Sequence, residues 1–386
     1  MSKMVLVAGC NGYIGNALVQ RLLFQGYNVW GIDNDIKYKW TTELQSESIV
    51  PVFPISEKCD LFQKFGNFKF RRINVATETT SLKNILLDRE FFAIINLAQQ
   101  PSAAYSHLNL KAARETINNN TNGTLNFLWL ISELGIDTHY IEIESMGTNN
   151  PAMGFDIPEG YYSPIGKRSD YPAEVLGPPS IFPKSPGSLY HASKVMNTYL
   201  VDCANRWWDT KITAINQGVV YGNWTQEIQE TGIHSPLWVD ECFGTVVNRF
   251  IAQALLDIPL TIYGGGQRRG FIGLNDSIQA IMLLMENPPD CKGVRFVNQL
   301  AEVFSVQEIA NAVSSNQKII PTPRVENTKS FYYSPVTDTL KMLGFESTTN
   351  LRTEIQCAME QIDLDLLNKM KPLLQEPEIQ WKKDLV

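Results

Sequence analysis

Apolar positions along the first half of the chain fall in short blocks. Met4–Ala8 is a continuous apolar run, as in a strand buried on both faces of a parallel sheet. Asn16–Gln25 then sets Ala17, Leu18, Leu22 and Leu23 at helical spacing, and Gly26 ends the segment. Tyr27–Ile32 reads as a second strand closed by Asp33. Phe91–Ala98 and His139–Glu144 read as further strands, with helical patterns at Leu82–Arg89 and Asn118–Leu134. Strand alternating with helix predicts an α/β fold with a doubly wound parallel sheet.

Beyond this point the pattern changes. Thr148–Gly187, rich in Pro, Gly and Ser, reads as a long loop. Leu189–Trp208 is helical, Lys211–Asn216 a strand, and Gln217–Gly222 a turn leaving it. The remainder mixes short strands and helices. Pro321 and Pro323 break the chain before a final helical stretch, Glu354–Met370. The expected organisation is a dinucleotide-binding Rossmann domain over residues 1–187, continued by 188–222. Residues 223–386 form mainly a smaller mixed α/β substrate lobe, interleaved with it over the carboxyl ends of the strands.

The turn after the first strand is Gly9-Cys-Asn-Gly12-Tyr-Ile-Gly15. The first glycine makes the tight turn, the second lets a pyrophosphate approach, and the third lets helix and strand pack closely. The helix N-terminus offers free N–H groups to the phosphate. Tyr13 and Ile14, inside the motif, are expected beside the cofactor. Asp33, 18 residues after Gly15, suits a ribose diol and repels a 2′-phosphate, so NAD is the expected cofactor.

Composition narrows the classes. The 386 residues are 44% hydrophobic and 19% charged, which excludes a disordered chain. A net charge of −7 without a Lys/Arg run argues against nucleic acid. No apolar stretch approaches the roughly 20 residues of a membrane span. The start, MSKMVLVAG, is unlike a signal peptide. Six scattered cysteines without a C-x-x-C pair, and four histidines without ligand spacing, predict no disulfide framework and no metal site. A cytoplasmic protein is expected.

Tyr190-His-Ala-Ser-Lys194 places Tyr and Lys four apart, on one helix face. An ammonium near a phenol stabilises phenolate, so Lys194 is expected to lower the pKa of Tyr190 and make it a base for a sugar hydroxyl. Ser145, at the end of the strand His139–Glu144, can hydrogen-bond the same substrate oxygen.

With these motifs the chain resembles the extended short-chain dehydrogenases/reductases, the nucleotide-sugar epimerase/dehydratase group, and within it most the UDP-sulfoquinovose synthases. The resemblance spans nearly the whole chain. It rests on Ser145-Met-Gly147, Asp156-Ile-Pro-Glu-Gly160, Leu189-Tyr-His-Ala-Ser-Lys-Val195, Asn216-Gln-Gly-Val-Val-Tyr-Gly222, Phe243–Phe250, Gly266-Gln-Arg-Arg-Gly-Phe271, Phe304–Ala310 and Pro323-Arg-Val-Glu326. It implies that Tyr190 deprotonates the glucose 4-hydroxyl of a UDP-sugar while NAD takes the C4 hydride. Lys194 would bind the nicotinamide ribose and Ser145 orient the hydroxyl. The 4-ketone then opens chemistry at C5 and C6 before hydride returns. It further implies His191 as acid/base, Met146 and Asn216 beside the sugar, Arg269 and Arg324 on the diphosphate, and Asn74 near the adenine. Asn118–Leu134 and Leu189–Trp208 would form a homodimer interface.

Five positions depart from that resemblance. Gln99-Gln100-Pro101 stands for Glu-Gln-Arg, Thr148 for a Glu, Asn149 for a Tyr, and Asn74 for an Asp. Met146 and Gly147 cannot transfer protons, which disfavours a simple 4,6-dehydratase. The alternatives are a UDP-sugar epimerase or 5,6-dehydratase of a specialised sugar pathway, and a non-catalytic dinucleotide-sensing protein.

Overall fold

The computed structural model describes residues 3–87, 89–149, 156–167, 174–290, 292–320 and 333–375. Met4–Ala8 (β1) runs through the helix Tyr13–Phe24 (α1) to Asn28–Asp33 (β2). The helices Ile36–Glu43 (α2) and Ile55–Gln63 (α3) lead to Phe68–Arg72 (β3). Thr79–Leu87 (α4) precedes Ala93–Asn96 (β4), and Leu110–Ile117 (α5) and Gly123–Glu133 (α6) precede His139–Ser145 (β5). Four short strands follow: Tyr161–Tyr162 (β6), Ile165–Lys167 (β7), Glu174–Leu176 (β8) and Ser180–Ile181 (β9). The long helix Leu189–Trp208 (α7) then leads to Lys211–Gln217 (β10) and Val219–Tyr221 (β11).

The C-terminal part continues with the helices Gln226–Thr231 (α8) and Val246–Leu255 (α9) and the strands Leu260–Tyr263 (β12) and Arg268–Gly273 (β13). Leu274–Glu286 (α10), Arg295–Gln299 (β14), Glu302–Ser305 (β15), Val306–Val313 (α11) and Gln317–Ile320 (β16) complete it before the helices Leu351–Gln361 and Leu364–Lys369.

Seven strands form one parallel sheet in the order β14-β10-β5-β4-β1-β2-β3. This is the expected doubly wound α/β fold. Strand order reverses at β1, so a crevice opens between the ends of β1 and β4, where ligands of such sheets bind. Alternation across the pleat explains why β1 is apolar throughout. Val5 and Val7 enter the core on one face with Leu18 and Leu22 of α1, while Leu6 and Ala8 enter the other with Phe127 of α6. Each such Leu contributes about 1.5–3 kcal/mol by burial. A third core, with Val247, Phe250 and Ile355, lies under the C-terminal lobe.

Several boundaries differ from the sequence reading. The first helix starts at Tyr13, not Asn16, so the motif's last glycine already lies in its first turn. The strand expected over Phe91–Ala98 is only Ala93–Asn96. The helix expected from Asn118 begins at Leu110 and carries one π-helical turn, Asn118–Asn122. That turn aims Asn120 inward, where its Nδ2 donates to Gln100 O at 3.1 Å and to Ser193 Oγ at 2.9 Å. The loop Thr148–Gly187 holds two small antiparallel pairs, β6 with β9 and β7 with β8. Gln217–Gly222 is not only a turn: Val219–Tyr221 pairs with β13. The final helix breaks at Ile362 because Asp363 caps a new one, its Oδ1 accepting Asp365 N at 2.9 Å. Polar β3 and C-terminal β14, unforeseen, complete the sheet. Pro321 and Pro323 lie outside the described residues.

Candidate active site

The glycine turn is shaped by close approach. Gly9 has φ +80°, and a Cβ on it would meet Leu97 C at 2.6 Å. A Cβ on Gly15 would stand 2.1 Å from Gly9 O. Backbone therefore packs on backbone, and no side chain caps the start of α1 at Gly12. The free N–H groups of that first turn, with Tyr13 and Ile14 flanking them, fit a pyrophosphate. Tyr13 itself reaches sideways, its hydroxyl donating to Gly222 O.

Asp33 ends β2 beside this turn. Its Oδ2 accepts Asn11 N at 2.9 Å and its Oδ1 accepts Asp35 N at 2.8 Å. Burial pushes its carboxyl up, and these backbone donors oppose that. Lys58, fully buried, donates to Asn11 Oδ1 at 2.9 Å. Its pKa is pulled down to about 8 by burial, with Asp33 and Asp35 among the charges that oppose the fall. Asn74 lies just past β3. Its Oδ1 accepts Ala76 N at 3.0 Å, so part of its polarity is spent locally.

Tyr190, Lys194 and His191 sit in the first turns of α7, and Ser145 ends β5. Ser188 caps α7, accepting His191 N at 3.1 Å. The Ser145 hydroxyl lies beside the Tyr190 phenol and favours its ionised form. Lys194 Nζ lies 5.8 Å from the Tyr190 ring centroid and donates to Ile143 O at 2.6 Å and to Gln99 Oε1. One expectation is corrected here. The Tyr190 phenol is pushed up to about 12, because burial dominates and Ser145 offsets only part of it. Lys194, engaged by Gln99 and Ile143, does not bring it down.

His191 Nδ1 meets Ser188 Oγ at 2.9 Å. Since that hydroxyl already accepts His191 N, its own proton is available to Nδ1, which favours the Nε2–H tautomer. The Nε2 edge faces Gly147.

Thr148 and Asn216, the latter expected beside the sugar, are drawn together by a lysine that sequence reading missed. Lys184 Nζ donates to Thr148 Oγ1 at 3.0 Å and to Asn216 Oδ1 at 3.4 Å. Asn216 also donates to Asn298 Oδ1 at 3.1 Å. Met146 is buried against Ile157 and Tyr333. Arg269, on β13, donates to Arg268 O at 2.7 Å, and the Tyr333 phenol feels its charge. No contact joins Arg269 directly to Ser145, Tyr190 or Lys194 among the described residues. Arg324 lies outside them.

Sequence reading also missed Glu142 and Glu144, and gave Gln99 no role. A signal existed: two carboxylates at alternate positions of a strand flanked by helices face the same buried side. Among the described residues no cluster of His, Cys, Asp or Glu suits a metal.

A model of the NAD dependent epimerase/dehydratase family matches residues 5–298. The chain belongs to the NAD-dependent epimerase/dehydratase family. It is 34% identical to UDP-sulfoquinovose synthase of Sulfolobus acidocaldarius over 98% of both chains. It is 30% identical to the chloroplastic UDP-sulfoquinovose synthase of Spinacia oleracea, over 99% of this chain and 80% of that one. Among solved structures, UDP-glucuronic acid 4-epimerase of Bacillus cereus with UDP-glucuronic acid and NAD shares the fold. Its TM-score is 0.63 at 19% identity, over 95% of this chain and 99% of that one. UDP-glucose 4-epimerase of Thermotoga maritima with UDP-glucose shares it at a TM-score of 0.64 and 18% identity, over 93% and 98%. As a family member, this chain is an NAD-dependent enzyme that modifies UDP-sugars.

Proposed function

We propose that this enzyme makes a UDP-sulfosugar of the sulfoquinovose type from UDP-glucose and sulfite. The observation that carries the reading is the cluster Ser145–Tyr190–Lys194 with His191 and the Lys184 ammonium close by, in a chain similar end to end to two UDP-sulfoquinovose synthases.

NAD, when bound in the glycine crevice, supplies a reversible hydride acceptor for C4. Tyr190 takes the proton of the 4-hydroxyl, Ser145 orients that oxygen, and Lys194 compensates the phenolate charge. The 4-ketone acidifies H5. Loss of H5 and departure of the C6 hydroxyl as water leave a double bond between C5 and C6. Sulfite adds to C6, a proton returns to C5, and hydride returns to C4, so no net redox change remains. His191 is the proton carrier for these steps. Lys184 supplies the positive charge an anionic nucleophile needs, in place of the Arg replaced by Pro101. Met146 and Asn216 shape the sugar pocket, and Arg269 and Arg324 hold the diphosphate by bidentate contacts. Gly9, Gly12, Tyr13, Ile14, Gly15, Asp33 and Asn74 hold the cofactor.

Exposed Leu110, Leu125 and Trp129 on α5 and α6, with Met196, Tyr199 and Trp207 on neighbouring α7, support a homodimer built on these helices. Sedimentation at micromolar concentration tests it, and a monomer there overturns it. Five free thiols among the described residues support a reducing, cytoplasmic setting. No helix there is long and apolar enough to cross a membrane.

Incubation with UDP-glucose in deuterated water, with and without sulfite, tests the main reading. A sulfonated UDP-hexose only with sulfite is expected. Deuterium at C5 without any sulfonate would turn the assignment to an epimerase or 5,6-dehydratase. No turnover, with NAD binding unchanged in Tyr190→Phe, would point to a dinucleotide sensor.

A further inference from the structure

Beneath the reacting groups lies a buried polar network centred on Glu142, to which the mechanism above gives no task. Glu142 is on β5, fully buried, under α7. Its Oε1 accepts Thr124 Oγ1 at 3.1 Å, Asn197 Nδ2 at 2.9 Å, and Gln99 Nε2. Its Oε2 accepts Asn96 Nδ2 at 3.0 Å and the Tyr140 hydroxyl at 2.6 Å. Donors thus reach both carboxylate oxygens, from β4, α6 and α7 among others. Gln99 turns its other end, Oε1, to Lys194 Nζ. The chain Glu142–Gln99–Lys194 is continuous, and the amide can transmit in only one sense, accepting from the ammonium and donating to the carboxylate.

A second carboxylate, Glu144, lies two residues along the same face. It accepts Thr198 Oγ1 at 3.0 Å through Oε2, and its buried Oε1 has no hydrogen-bond partner. Thr198 is one turn beyond Lys194 on α7. The charged and titratable groups around Lys194 are therefore Glu142 and Glu144 from β5, Tyr190 on its own helix, and Lys184, which faces Glu144 from the preceding loop.

We propose that Glu142 is a positioning residue for the reaction: through Gln99 it fixes the Lys194 ammonium, and with Glu144 it supplies the counter-charge that keeps this buried amine protonated. The assignment rests on the reading of Tyr190 and Lys194 given above. Burial by itself pulls the Lys194 ammonium down, and Glu142 and then Glu144 are the charges that oppose the fall. The arrangement has a chemical reason. A protonated amine can compensate charge developing on Tyr190 where a neutral one cannot, and position 99 holds a neutral amide that contributes hydrogen bonds but no charge. The charge stands one bond further back, on β5.

The test uses the full-length holoenzyme and two readouts. The first is transient nicotinamide reduction on mixing with UDP-glucose, followed across pH. The second needs no sugar: acylation of Lys194 by acetic anhydride, read by peptide mass spectrometry across pH, since only the neutral amine reacts. Glu142→Gln is expected to move the alkaline limb of the reduction rate, and the onset of acylation, to lower pH by about one unit, roughly tenfold at fixed pH on that limb. Gln99→Met, which leaves Glu142 its four other donors, is expected to shift both the same way if Glu142→Gln fails to fold. Adding Gln99→Glu to Glu142→Gln is expected to restore both, because it returns a carboxylate to the ammonium. Unchanged acylation and rate profiles in either single variant overturn the proposal. If wild type reduces no nicotinamide yet acylation shifts as stated, the functional reading fails and the charge assignment stands.

Discussion

Gly147 lies flat against the imidazole of His191, so closely that a Cβ on it would stand 2.2 Å from Nε2. Neither can move freely, because Ser188 holds the other ring nitrogen and Ser145 Oγ accepts Gly147 N at 3.1 Å. Gly147→Ala should rotate His191 out of place while leaving NAD binding intact. Deuterium incorporation at C5 should fall at least about tenfold, while C4 oxidation, read as nicotinamide absorbance, survives. Equal loss of both signals would show that His191 serves only to pack the helix start.

Tyr190→Phe removes the base and should lower hydride transfer by about 10²–10⁴. Ser145→Ala should cost less, since only the phenol's hydrogen-bond partner is lost. Because burial holds the phenol near about 12, the wild-type rate of C4 oxidation should climb with pH through neutrality. Stopped-flow measurement across pH checks it, and a flat profile would count against Tyr190 as the base.

Gly15→Ala should abolish dinucleotide binding without unfolding the rest of the sheet. The added methyl would stand 2.1 Å from Gly9 O, so the turn must open and the N–H groups of α1 lose their aim. Titration with NAD followed by tryptophan fluorescence reads the loss. The Asp33 contacts are separate, so Asp33→Asn should instead weaken discrimination against a 2′-phosphate.

Glu354 predicts a pH-dependent stability. It is buried at Gly222 on the helix Leu351–Gln361, its Oε2 has no partner, and burial raises its carboxyl from 4.5 to about 8. The folded form thus keeps a proton that the unfolded chain releases, so stability is lost as pH rises from the ordinary carboxylate range to about 8. Glu354→Met should raise the melting temperature at pH 8 by the equivalent of about 1–3 kcal/mol and change it little near pH 4. Thermal denaturation at the two pH values decides it, and a variant less stable at pH 8 would refute the assignment.

Local chemistry made much of the site legible. The spacing of Gly9, Gly12 and Gly15 predicts a tight turn, and backbone packs on backbone at Gly9 and Gly15. The helix expected over Leu189–Trp208 has those same bounds in the structure, where Ser188 caps its start. Tyr190 and Lys194 share a face by helix geometry alone. By contrast, β3 is polar at most positions because it is an edge strand, and β14 joins the sheet from far along the chain. Neither carries a local signal of its place. The loop Thr148–Gly187, which carries Lys184, has no periodicity because nothing in its own residues states what it folds against.

The sequence by itself determined the fold class, the glycine turn after the first strand and the placing of Tyr190 and Lys194 on one helix face, since each depends on spacing within a few residues. Tertiary structure alone decided what surrounds them. It set Lys184 on Thr148 and Asn216, His191 on Gly147, and Glu142 behind Gln99 and Lys194. It also decided the charge balance, because burial shifts the Tyr190 phenol and the Lys194 ammonium in ways that no count of neighbours along the chain can supply.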